Sequence, residues 1–78
     1  MWHFKTVMGI FWIVRAEESE KFFLGIDEES LGTYKSYQDA LDGINTHMTG
    51  YLAWDTETQM HVPASIESWM LGEPAAWA

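Results

Sequence analysis

Residues 31–50 read LGTYKSYQDALDGINTHMTG, and this stretch sets the fold class. Leu31–Lys35 (LGTYK) is a short strand-like run. Ser36-Tyr37-Gln38-Asp39 then matches the pattern [ST]-x-x-[DE]. In that pattern the Ser36 hydroxyl caps a free amide, while Asp39 reaches back and complements the positive end of the helix dipole. Tyr37, Ala40, Leu41, Ile44 and Met48 recur at the spacing of one helical face, so they form a buried stripe. Asp39, Asp42 and Asn45 fall on the opposite side. Gly43 costs this helix about 1 kcal/mol relative to Ala, and Gly50 is a natural stop after Thr49. The expectation is a helix over about 36–49 that follows directly on a strand.

Toward the N-terminus the chain has strand chemistry. Gly9–Arg15 (GIFWIVR) is β-branched and aromatic, with Phe4 as its earliest start. Ile10, Trp12 and Val14 share one face, and Phe11 and Ile13 the other. Both faces are apolar, which suits a central strand covered on both sides or a strand at an interface. Ala16–Glu20 (AEESE) is a polar break. Lys21–Asp27 (KFFLGID) pairs back as a hairpin strand, with Phe23 facing one way and Phe22, Leu24 and Ile26 the other. Gly25 marks a bulge, and Asp27–Ser30 is an acidic turn.

Beyond the helix, Tyr51–Trp54 and Gln59–Val62 flank four polar residues and read as a second hairpin that Pro63 ends. Ser65 caps a brief helix over about 65–71, with Ile66, Trp69 and Met70 as its apolar face and Gly72 as its end. The tail from Glu73 contains Pro74 and reads as irregular. There is no repeat, linker or low-complexity segment. These elements make one α+β domain over 1–78, an antiparallel sheet of four to five strands with one main helix. The expected core contains Ile10, Trp12, Val14, Phe23, Leu41, Ile44 and Leu52.

Composition limits function. At 78 residues the chain has room for a single core, and its 15% aromatic content supplies the rings a small core needs. The absence of Cys excludes a disulfide framework and a Cys-based zinc site. A formal charge of -8 argues against direct binding to nucleic acid and to anionic membranes. Met1–Val14 has one charge, a short apolar run and no small-residue cleavage site, so it reads as a buried strand of a cytoplasmic protein.

Candidate chemistry is thin. His3, His47 and His61 have no metal-ligand spacing, and a zinc site would need folding to bring them together with a carboxylate. Ordinary surface or half-buried histidines are the expected reading. Asp55-x-Glu57 and Asp39-x-x-Asp42 lack the ligand density and Gly placement of a calcium loop. A hairpin tip and a solvent-facing helix side are poor places for the desolvated carboxyl that acid–base catalysis needs. No nucleophile elbow, phosphate loop or dinucleotide fingerprint is present. The expectation is a protein with no enzymatic activity, no cofactor and no metal.

The acidic residues carry the most informative pattern. Glu17, Glu18, Glu20, Asp27, Glu28 and Glu29 fall within 13 residues, interrupted only by Lys21 among the charges. In the hairpin reading they form two foci separated by a strand of roughly 23 Å. Asp39, Asp42, Asp55 and Glu57 add further acids. Such a surface either keeps a protein soluble or offers carboxylates in place of phosphates to a basic groove. Trp2 and Trp77 either pin the termini to the core, the favoured reading, or anchor a partner.

In size, acidity, absence of Cys and α+β pattern, the whole chain resembles small phage-encoded inhibitors of the anti-CRISPR type. The segment Gly32–Leu41 is similar to strand-to-helix junctions in many small bacterial and phage domains, and carries no activity. The resemblance implies a stoichiometric, non-enzymatic inhibitor in the host cytoplasm. Its partner would be a basic nucleic-acid-binding protein or ribonucleoprotein, in the first place a CRISPR effector complex whose DNA-recognition surface it covers. The ten acids above are the candidate partner contacts. The alternative is a small accessory module, monomeric or dimeric, that docks or self-associates through exposed rings at Trp2, Phe11, Trp69 and Trp77.

Overall fold

The computed structural model describes residues 1–75; Trp77 lies outside the described residues. The elements are β1 (Trp2–Thr6), β2 (Gly9–Arg15), β3 (Phe22–Ile26), β4 (Glu29–Tyr34), α1 (Tyr37–Asn45), α2 (Leu52–Asp55), a 3-10 turn (Ile66–Ser68) and β5 (Met70–Leu71). The five strands form one antiparallel sheet in the order β4-β3-β2-β1-β5, and α1 packs against β3 and β4. The α+β class, the antiparallel sheet and the single main helix are those expected.

The N-terminal apolar run is a hairpin rather than one strand. Trp2 pairs with Ile13 and Thr6 with Gly9, leaving Val7 and Met8 as the connection. No Asn-Gly signal marks this turn. Instead the Thr6 hydroxyl donates to Gly9 O at 2.8 Å and accepts from Met8 N at 3.1 Å.

The strands are phased opposite to expectation. Phe11, Ile13, Phe22, Leu24 and Ile26 are buried toward the helix, whereas Ile10, Trp12 and Val14 are half-buried and Phe23 is exposed. Trp12 is accommodated on its face by lying over Gly25, where a Cβ would overlap the indole. Its Nε1 donates to Asp27 O at 2.8 Å. The ladder slips between Leu24 and Gly25, beside the glycine expected to mark a bulge, but the extra residue is Leu31 of β4, skipped between Gly32 and Ser30.

Helix α1 is shorter than expected. Ser36 Oγ accepts from Asp39 N at 3.1 Å, the expected cap. The helix ends at Asn45, with Thr46 as C-cap and His47 at φ +58°. Ala40, Leu41 and Ile44 are buried, but Met48 lies past the helix and is exposed. Gly43 has a packing reason: the Tyr34 ring rests on it, and a Cβ would meet Tyr34 Oη at 2.8 Å. Asn45 is half-buried rather than solvated. Its side chain donates to Val62 O at 3.0 Å and accepts from Val62 N at 2.8 Å.

That bidentate amide explains why the second hairpin is absent. Val62 has its backbone satisfied by Asn45 and needs no partner strand. Tyr51–Trp54 turns into α2 instead, which exposes Leu52 and buries Trp54 completely. Trp54 is a centre of the core: Nε1 donates to Ile44 O at 2.8 Å, and Phe11 meets it edge-on at 4.9 Å. The C-terminal helix is a single 3-10 turn capped by Ser65. Met70 and Leu71 instead pair with His3 and Trp2, and Gly72 N donates to Met1 O at 2.7 Å. Trp2 packs edge-on against Tyr37 at 4.6 Å, so the N-terminus is pinned as favoured.

Candidate acidic interface

The sheet places the two main acidic foci at opposite ends of β3. Glu17, Glu18 and Glu20 lie in the β2–β3 connection, which the hydrogen bond from Ala16 N to Lys21 O closes at 2.9 Å. Asp27 and Glu28 form the β3–β4 turn, and Glu29 opens β4. All six side chains are exposed. β3 is five residues long, so the foci stand roughly 17 Å apart along it at about 3.3 Å per residue.

The foci differ in construction. Asp27 is held in a left-handed conformation, φ +49°, and its Oδ1 accepts from Ile10 N at 2.9 Å. Its backbone N donates to Ile10 O at 2.9 Å. One Asp27 oxygen thus belongs to the fold, while the Glu28 and Glu29 side chains are exposed. Ile26, Asp27, Glu28, Glu29 and Tyr51 line an open cleft of about 440 Å³. Carboxylates beside a phenol ring suit the ammonium or guanidinium end of a Lys or Arg side chain, which they attract as charges and as a cation on an aromatic face.

Asp39 and Asp42 are exposed on α1, where Asp42 Oδ1 accepts from Gln38 Nε2 at 2.9 Å. Asp55 and Glu57 are not at a hairpin tip. Asp55 ends α2, and its carboxylate organises the preceding loop by accepting from Thr49 N at 3.0 Å, Thr49 Oγ1 at 2.7 Å and Gly50 N at 2.8 Å. Partial burial opposes its ionised form. The Thr49 and Gly50 donors and the nearby His47 outweigh that, so the carboxyl sits below the ordinary carboxylate range. Burial, followed by the Asp55 charge, holds the Tyr34 hydroxyl above its ordinary range. Glu57 is half-buried, with its N–H on Trp54 O at 3.0 Å.

The rings named for apolar docking are mostly spent in the core. Phe11 is fully buried, and Trp69 is 5% exposed with its Nε1 donating to Pro63 O at 3.2 Å. Trp2 is half-buried. Two histidines that the sequence spacing did not link do converge: the His47 and His61 rings lie 5.2 Å apart. His3 is engaged separately, with Nδ1 2.6 Å from Gly72 O. No group of three or more His, Cys, Asp or Glu that could hold a metal occurs among the described residues. No described helix is long and apolar enough to cross a membrane.

Comparison of the chain with family models, curated proteins and solved structures returned no match.

Proposed function

We propose that the protein is a non-enzymatic, stoichiometric inhibitor that occupies the basic nucleic-acid-binding surface of a protein partner, with a CRISPR effector complex as the first partner to test. The observation that supports this reading best is the cleft at the end of β3. There Asp27, Glu28 and Glu29 surround space beside Tyr51. A Lys or Arg that otherwise holds a phosphate would enter it, and the Glu17–Glu20 focus would engage a second basic cluster. Charge complementarity of this kind speeds association and sets register, while adjoining apolar contacts slow release.

The experiment is electrophoretic. Effector complex, guide and target DNA are mixed with increasing amounts of the protein, and bound DNA is measured. Bound DNA is expected to fall as the protein approaches one equivalent of the effector. DNA binding that never changes, whichever component is added first, would refute the proposal for this partner.

A further inference from the structure

His47 is an unusual residue for its place. It follows the cap of α1 with φ +58°, where glycine or asparagine is the common occupant. Its ring is held on both counts that fix an imidazole. It stacks on Trp54 at 5.1 Å with 16° between the planes, and its Nδ1 lies 2.9 Å from Trp54 O. A carbonyl oxygen only accepts, so Nδ1 carries the proton and donates. When the ring is neutral, Nε2 is then a bare lone pair. That atom is buried and has no hydrogen-bond partner among the described residues. Buried polar atoms are rarely left this way, and each such case calls for a physical reason.

His61 supplies one. Its exposed ring stands edge-on to His47 with centroids 5.2 Å apart. Two imidazoles that ligate one ion at about 2.0–2.1 Å with a tetrahedral angle place their centroids about 5 Å apart. An N–H fixed on a backbone carbonyl with the other nitrogen left free is also how metal-binding histidines are oriented. We infer that His47 and His61 form a two-imidazole site for a borderline divalent metal ion of the Zn²⁺ type. His47 Nε2 is the preset ligand, His61 the mobile one that admits the ion, and water fills the remaining positions. Imidazole selects such ions over Mg²⁺ and Ca²⁺, which prefer oxygen. His3 is outside the pair, tied to the C-terminal strand through Gly72.

The test is calorimetric titration of the metal-free chain with Zn²⁺ at neutral pH, read alongside the imidazole ¹⁵N resonances. Wild-type protein should take up one equivalent and shift the ring nitrogens of His47 and His61. His61→Ala should bind at least about tenfold more weakly. His47→Gly should do the same, and because glycine suits the left-handed backbone there the chain should still fold although the stack on Trp54 is lost. His3→Ala should bind as wild type, and Mg²⁺ should not compete. The inference is overturned if wild type shows no saturable uptake, or if folded His61→Ala and His47→Gly bind Zn²⁺ as tightly as wild type.

Discussion

Gly25 joins three features that no other residue type could serve together. It is buried, it lies beside the slip in the β3–β4 ladder, and it leaves room for the Trp12 indole and the Glu29 carbonyl. Gly25→Ala should therefore cost at least about 1–3 kcal/mol, since neither a packed indole nor a backbone carbonyl yields easily. The urea midpoint reads this directly, and an unchanged midpoint would mean that Trp12 does not rest there. Asp55 gives a pH-dependent counterpart. Its native pKa lies below that of the unfolded chain, so the stability it contributes is complete above about pH 4 and is lost as pH falls through the native value. Asp55→Asn should lower stability at neutral pH by about 1–3 kcal/mol through weakened bonds to Thr49 and Gly50. It should also flatten the acid limb of the stability curve. Equal acid sensitivity in the variant would assign that limb to other carboxyls.

At the scale of elements, the core face was the least legible feature of the strands. Alternation assigns partners to a face, but when Ile10, Trp12 and Val14 oppose Phe11 and Ile13 both faces are apolar and the pattern has no sign. The choice was made by contacts remote in sequence: Trp54 meets Phe11, while Gly25 and Asp27 receive Trp12. Helix α1 was legible because the Ser36 cap and the spacing of Ala40, Leu41 and Ile44 are local signals. Its C-terminal end was not, since the first left-handed residue after the helix is His47, three positions before the left-handed Gly50. The segment after it is not legible because four residues of YLAW suit a strand or a helix equally, and Asn45 satisfies Val62 as a strand would. Substitution separates the two accounts. Phe11→Ala should cost about 3–5 kcal/mol and Leu41→Ala about 2–5 kcal/mol. Leu52→Ala, at a position 75% exposed, should stay within about 0.5 kcal/mol. A large loss at Leu52 would restore the hairpin reading.

Over the whole molecule, the turn acids were the legible part of the candidate interface, because polar breaks between strands are solvated wherever the sheet faces point. Asp55 was not, since its role depends on a loop that wraps back to Thr49. The fold leaves Glu17, Glu18, Glu20, Glu28 and Glu29 at the two ends of one strand, with exposed side chains. Charge-reversing Glu17, Glu18 and Glu20 to Lys should leave the melting behaviour nearly unchanged, as exposed turn positions usually do. The measurement that bears most directly on the proposed function is the affinity of the protein for the effector complex across a salt series, for wild type and this triple variant. A wild-type affinity that falls steeply with salt, together with a much weaker and less salt-sensitive triple variant, is the predicted result. An affinity indifferent to salt and to the reversal would contradict it, and would assign docking to apolar surface instead.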